Sequence, residues 1–328
     1  MDLLIIGAAG MIGRKLATRL IEQKTLAGQT IDSLALVDVV EPQISMESPV
    51  RVNTSVADLT QAGVAQRLIA TRPDFIYHLA AIVSGEAEAN MDKGYRINLD
   101  GTRELLEAIK TEHDKDGYAP TFIFTSSIAV YGAPFPEVID DEFHLTPLTS
   151  YGTQKAMCEL LLADYHRRGI VKGIGLRLPT ICVRPGLPNA AASGFFSGIL
   201  REPINGQTAI LPVADTVRHW FASPRAAIGF LMHAATLSRE QIGLRCNMNL
   251  PGLSATVAEQ IESLGKMIGS DAVALIRREA DPVIASIVSG WPEMFSADRA
   301  SALGFQAENS FDDIIQVYLD EEMRHVNA

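Results

Sequence analysis

The chain has 328 residues, 47% of them hydrophobic and 20% charged, and a formal net charge of −11. That is enough apolar material for a sizeable core, and an acidic balance without a basic run excludes nucleic acid as the natural partner. The three cysteines, Cys158, Cys182 and Cys246, are odd in number and too far apart for a zinc site, so no metal is expected and a reducing, cytoplasmic setting is. The first apolar run is too short to span a membrane and carries Asp2 rather than Lys or Arg, so neither a membrane anchor nor a signal peptide is expected.

In chain order, the first element is a buried strand over 3–6, followed at once by Gly7, Gly10 and Gly13 and by a helical pattern over 11–23. A strand, a glycine turn and a helix start make a phosphate-binding device. The turn needs residues without a Cβ, and the helix N-terminus offers unpaired N–H groups at Gly10, Met11, Ile12 and Gly13 together with a positive dipole end. The spacing is GxxGxxG rather than GxGxxG. A second apolar strand over 34–38 ends on Asp38, where a parallel strand presents an acid to an adenosine ribose. A carboxylate there accepts from the 2′- and 3′-hydroxyls and repels a 2′-phosphate. No Arg or Lys follows in 39–42, so NAD is preferred over NADP.

A short strand over 50–53 leads to Asp58-Leu59, expected beside the adenine edge, and to a helix over 60–70. The strand 74–79 ends in His78-Leu79-Ala80-Ala81, small residues of the kind needed where backbone passes a nucleotide; mid-strand His78 reads as core. Helices are predicted over 91–112 and 150–168, and strands over 121–125 and 173–178. Such alternation is the pattern of an α/β fold with a doubly wound parallel sheet. After residue 178, frequent Pro and Gly punctuate shorter elements. The predicted division is an NAD-binding Rossmann domain over 1–178, with 213–249 returning to it, and a mainly substrate-binding, interleaved C-terminal lobe over 179–328. Within it, a helix is expected over 222–235, and Ser254 is expected to cap another over 255–268.

Two patches carry chemistry. Phe122 to Gly132 is a strand running into the hydroxyls of Thr125, Ser126 and Ser127, and Tyr151-Gly-Thr-Gln-Lys155 lies on a helix. Tyr and Lys at i and i+4 share one helix face. A free phenol has a pKa near 10, so a tyrosine base working near neutrality must drop by roughly 3 units, about 4 kcal/mol. A lysine and an oxidised nicotinamide, both cationic, favour the phenolate. Ser127 is expected to hold the reacting oxygen and Ser126 to contact substrate.

With GAAGMIG, Asp38, Asp58-Leu59, HLAA at 78–81, Asn98 in INLDGT, TSSIAVYG at 125–132 and YGTQK at 151–155, the chain resembles the extended short-chain dehydrogenase/reductases, the NAD-dependent epimerase/dehydratase group. The resemblance spans the whole length. It implies that Tyr151 is the acid/base, that Lys155 binds the nicotinamide ribose and that Ser127 completes the triad. It further implies that Pro179 and Ile181 meet the carboxamide through backbone, that Asn98 lies near the cofactor, and that a homodimer forms through the helices 91–112 and 150–168. The second of these carries Ala156, Met157, Leu160, Leu161 and Tyr165.

Most relatives act on nucleotide sugars and carry Asn within a pattern like RxxNxYGP. Here Arg177-Leu-Pro179-Thr180 replaces it, and the acidic end of a later RxFxxVxD pattern becomes Pro224-Arg225 behind Arg218. The stretch 186–198 reads as a loop of small residues without an aromatic clamp for a base. These departures point to a small anionic substrate, for which Arg184 and Arg218, and also Arg201, are the candidate cations. The segment 184–203 resembles that of a branch that oxidises C2 of four-carbon sugar acids such as D-erythronate to the 2-keto acid. Two alternatives use the same features: a nucleotide-sugar 4-epimerase that keeps its NAD, and a non-catalytic NAD sensor. A sensor usually loses the tyrosine or lysine, and this chain keeps both.

Overall fold

The computed structural model describes residues 1–44, 50–186 and 192–323. The chain forms two compact units. The first comprises residues 1–130, 149–177 and 228–248; the second comprises 131–148, 178–227 and 249–328.

The first unit is built on a seven-stranded sheet. Its strands are β1 (Asp2–Ile6), β2 (Ser33–Asp38), β3 (Arg51–Val56), β4 (Phe75–His78), β5 (Thr121–Ser127), β6 (Lys172–Leu178) and β7 (Asn247–Asn249), in spatial order β7-β6-β5-β4-β1-β2-β3. β1 pairs in parallel with both β2 and β4, and the order reverses there, which is the switch point of a Rossmann sheet. Leu3, Leu4, Ile5 and Ile6 are all buried, as expected of a central strand covered on both faces. β7 is a three-residue strand that local pattern did not reveal.

Helix α1 (Met11–Gln23) buries Leu16, Ala17, Leu20 and Ile21 on one face and ends at Lys24 in the left-handed region. The helix predicted over 60–70 is shorter, α2 (Val64–Ile69), because Gly63 at φ 80° starts it. The helix predicted over 91–112 is interrupted. Residues Tyr95–Asp100 form a π-helical turn before α3 (Gly101–Asp116), which stops at Gly117, φ 84°. Helix α4 (Ser150–Arg167) is capped by Thr149, whose side chain accepts from the Gly152 amide.

The second unit is assembled from short strands and amphipathic helices around Phe196, Leu200, Phe221, Leu264, Phe311 and Ile314. Two expectations are corrected here. Ser254 is not a helix cap: it lies in the strand Leu253–Thr256, and Thr256 caps the helix Val257–Met267 through a reciprocal box with Glu259. The stretch 186–198 is also not loop throughout. Residues 187–191 lie outside the described residues, but Gly194–Ile204 is helix, since Phe196, Ile199, Leu200 and Pro203 bury one face in this core. The returning helix begins at Pro224, at the position where proline's missing N–H is harmless, and runs to Thr236.

Buried histidines make the fold acid-sensitive. His78 Nε2 lies 2.8 Å from the Thr102 hydroxyl, which itself donates to the Asn98 carbonyl, so Nε2 carries the proton and donates. Burial, reinforced by the Lys155 ammonium, holds His78 down to about 3. In the second unit, burial holds His219 down to about 4, against the pull of its bond to the Pro292 carbonyl. Both are neutral when folded and titrate near 6.5 when unfolded, so the unfolded chain binds more protons between these values. Their stability contribution is complete above about pH 6.5 and is lost as pH falls toward the folded values. At pH 5 each costs about 2 kcal/mol. Thermal melts are expected to show Tm falling by several degrees between pH 7.5 and 5, and a flat Tm contradicts the assignment.

Candidate active site

The N-terminal turn is tightly built. The Gly7 and Ala8 amides donate to the Val37 carbonyl at 2.8 and 3.1 Å, tying the turn to β2. Gly7 has φ 93°, and a Cβ there would sit 2.6 Å from the Ala80 nitrogen. A Cβ on Gly13 would sit 2.2 Å from the Gly7 oxygen, whereas one on Gly10 would meet that oxygen at an ordinary 3.4 Å. Gly10 is the helix cap and has no side chain to close it, and no acid lies in the first turn of α1. The donors at Met11, Ile12 and Gly13 are therefore presented at the positive end of a thirteen-residue helix.

Asp38 stands beside this turn. Its two carboxylate oxygens accept from the amides of Ala9 at 2.8 Å and Val39 at 2.7 Å. A carboxylate has about four acceptor sites, so two remain for diol hydroxyls. Asp58 accepts from the Thr60 amide at 2.9 Å in a local turn, and Leu59 is buried against Gly101. Leu79, Ala80 and Ala81 leave the end of β4 half-buried, with the Leu79 amide on the Ile6 carbonyl. These are the features a dinucleotide needs: a close backbone cradle, unpaired donors and an acid with spare acceptor capacity.

Asn98 is used differently from the expectation. It is almost fully buried. Its oxygen accepts from the Ile82 amide at 2.9 Å, and its amide donates to Ile82 and to Gln154 on α4. It ties the segment after β4 to α4.

Ser127, Tyr151 and Lys155 come together at the end of β5. The Ser127 hydroxyl stands beside the Tyr151 phenol and favours its ionised form. The Lys155 Nζ is buried, donates to the Thr125 carbonyl at 2.8 Å, and lies 4.6 Å from the Phe124 ring centre and 5.8 Å from that of Tyr151. Burial pulls the Lys155 ammonium down to about 8, opposed by Cys158 and Glu159. The Tyr151 phenol is not lowered here. Burial pushes it up to about 12, against the pull of the neighbouring Ser127 hydroxyl. In the ligand-free protein the phenol is therefore protonated at neutral pH.

Ser126 departs from its expected role. It is 3% exposed, and its hydroxyl donates to Glu159 at 2.6 Å, so it is committed inside the protein and does not face a substrate. Glu159 and its partner Arg177, joined at 2.8 Å, were missed by sequence reasoning. The available signal was the spacing Tyr151, Lys155, Glu159, each one turn further along the same face.

In the second unit, Ile181 pairs with Ala222, Pro179 is buried, and the Thr180 hydroxyl lies 2.8 Å from His219 Nε2. His219 Nδ1 faces the Pro292 carbonyl at 3.0 Å and must donate to it, so Thr180 is the donor to Nε2. The arginines differ sharply. Arg218 pairs with Glu259 at 3.4 Å, and Arg201 with Glu202. Arg184 is half-buried and donates to the Ser193 hydroxyl at 2.9 Å; among the described residues no carboxylate lies within ion-pair distance. The neighbouring 187–191 contains no acidic residue. Burial lowers the Arg184 guanidinium, and nearby Arg201 adds repulsion.

Residues 3–222 match the model of the NAD dependent epimerase/dehydratase family. The chain belongs to that family. A protein of Cupriavidus necator named D-erythronate dehydrogenase is 47% identical over 325 residues, covering 98% of each chain. One of the same name from Haemophilus influenzae is 41% identical over 323 residues, covering 98% of this chain and all of that one. A crystal structure described as the nucleoside-diphosphate-sugar epimerase from Agrobacterium tumefaciens superposes with a TM-score of 0.97 at 59% identity, covering 99% of this chain and 95% of that one. This family member is an NAD-dependent dehydrogenase acting on a CH–OH group. Among the described residues there is no cluster of potential metal ligands, and no helix is long and apolar enough to cross a membrane.

Proposed function

We propose that the chain oxidises the C2 hydroxyl of a small sugar acid resembling D-erythronate to the 2-keto acid. The reading is carried by one arrangement: a tyrosine phenol beside the Ser127 hydroxyl, with a buried lysine ammonium 5.8 Å from its ring centre. The names of the relatives at 47% and 41% identity support the substrate class. Ser127 orients the substrate hydroxyl and Tyr151 takes its proton as the C2–H electron pair departs and C=O forms. Bound NAD supplies the hydride acceptor and a positive charge beside the phenol. Lys155 holds the nicotinamide ribose and favours the phenolate electrostatically. Gly7, Gly10, Met11, Ile12 and Gly13 receive the pyrophosphate, Asp38 the adenosine ribose, Asp58 and Leu59 the adenine edge, and the backbone at 79–81 lines the remainder.

Asp38 sets the cofactor preference: a third anion beside its carboxylate is repelled. The ratio of kcat/KM for NAD to that for NADP is expected to be large and to shrink by at least about tenfold in Asp38→Ala. A wild-type preference for NADP overturns this reading.

Arg184 is the better candidate for the substrate carboxylate. Arg218 already faces Glu259, whereas among the described residues no carboxylate pairs with Arg184, which a charged bidentate bond would answer. Arg184→Ala is expected to raise KM for the acid by at least about tenfold, or 1.4 kcal/mol, and Arg218→Ala by less. Equal effects remove the distinction.

A second reading, nucleotide-sugar epimerisation, is favoured by the description of the 59% identical structure. Net NADH formation from four-carbon aldonates decides between the two, because an epimerase returns its hydride and accumulates no NADH. We also propose a cytoplasmic homodimer. On α4, Met157 and Leu160 are exposed at 40% and 66%, while Ala156 is buried inward, which leaves an apolar stripe for a second copy to cover.

A further inference from the structure

Three consecutive residues at the end of β5 each meet one turn of α4. Ser127 stands beside Tyr151, the Thr125 carbonyl accepts from Lys155 at 2.8 Å, and the Ser126 hydroxyl donates to Glu159 Oε1 at 2.6 Å. The first two rungs serve the chemistry. The third has no assigned purpose, yet it is the most enclosed. Glu159 is 1% exposed, and Arg177 on β6 grips both of its carboxylate oxygens, with Nε at 3.1 Å from each. Asn247 on β7 donates to the Glu159 carbonyl at 3.0 Å.

Burying a carboxylate is costly unless its charge and lone pairs are answered. Arg177 answers the charge, and Oε1 also fixes one hydroxyl on the strand that carries the site. We propose that Glu159 is a positioning residue for proton transfer. Through Ser126 it holds the end of β5, and with it the Thr125 carbonyl and the Ser127 hydroxyl, in register with Lys155 and Tyr151. The proposal rests on the reading of Tyr151 and Lys155 given above.

Electrostatics gives it a second consequence. Lys155 is faced by Tyr151, Cys158 and Glu159 on its own helix, by Phe124 and the Thr125 carbonyl on β5, and by His78 on β4; Arg177 stands behind Glu159. Burial is the largest influence on Lys155, and Glu159 opposes it. Removing the Glu159 charge also leaves Arg177 uncompensated. Both changes make Lys155 lose its proton at lower pH.

Two measurements test the proposal. Ser126→Ala removes the third rung but leaves the Glu159–Arg177 pair in place. It is expected to lower kcat by at least about tenfold with KM for NAD and for the acid within about twofold, and Ser126→Thr is expected to recover most of the loss. The second readout is the Lys155 titration in the ligand-free, full-length chain, followed by NMR of 13C-labelled lysine and assigned with Lys155→Met. Glu159→Gln is expected to move its midpoint down by at least about half a unit, and Ser126→Ala to leave it in place. An unchanged kcat in Ser126→Ala overturns the positioning role. An unmoved midpoint in Glu159→Gln overturns the electrostatic one. Should Tyr151→Phe retain turnover, the reading of the base fails, while the NMR titration still reports on Glu159 because it involves neither substrate nor turnover.

Discussion

Tyr151→Phe is expected to lower kcat by at least about a hundredfold while leaving NAD affinity within about threefold, since positioned acid–base groups contribute roughly 10²–10⁴. The ring that faces Lys155 stays, and only the oxygen that meets Ser127 is lost. The ligand-free phenol lies at about 12, so turnover requires that bound charge bring it down. Steady-state NADH formation and calorimetric NAD binding check the two halves separately. More than a few per cent of wild-type kcat in the variant means that another group takes the proton. Loss of NAD binding means that the ring itself holds the cofactor.

The second large effect is expected at Gly13. An alanine Cβ there would lie 2.2 Å from the Gly7 oxygen and 2.7 Å from Ala8 Cα. Both are backbone atoms, so no rotamer change relieves the contact, and either the turn or the first turn of α1 must move. Alanine gains about 1 kcal/mol of helix propensity over glycine. Overpacking in a fixed frame costs about 1–3 kcal/mol or more, and a contact this short puts Gly13 at the upper end. Gly13→Ala is therefore expected to lower Tm by several degrees and to weaken NAD binding by more than about tenfold, or 1.4 kcal/mol, by displacing the amides proposed to receive the pyrophosphate. Gly10→Ala is the control. Its Cβ makes only a 3.4 Å contact, so Tm should hold, and any loss of affinity there reports a clash with the ligand itself. Normal NAD binding by Gly13→Ala would mean that the close approach is not used.

The parts of this protein that could be read from the sequence are those whose causes are local. The glycine turn needs only a buried strand, three residues without side chains and a helix start, all within residues 1–23. Asp38 ends the next strand, and Tyr151 and Lys155 share a helix face by spacing alone. The alternation of strands and helices up to residue 178 is legible for the same reason: each element buries its own periodic face, and a parallel sheet follows.

Tertiary structure decided whatever depends on which distant residue stands opposite. Ser126 and Ser127 are adjacent in sequence and equivalent in chemistry. Only the crossing of α4 over β5 gives one hydroxyl to Glu159, 33 residues away, and sets the other beside Tyr151. The Asn98 amide meets Ile82 and Gln154, the latter 56 residues on, partners that no local pattern names. Arg184 and Arg218 stand ahead of Arg201 as candidate cations in the sequence, but pattern does not reveal which one already has an anion. Folding gives Glu259 to Arg218 and Glu202 to Arg201, and brings no described carboxylate to Arg184. A charge can be read from its residue type. Whether it is spent or free depends on partners that the chain brings together only by folding.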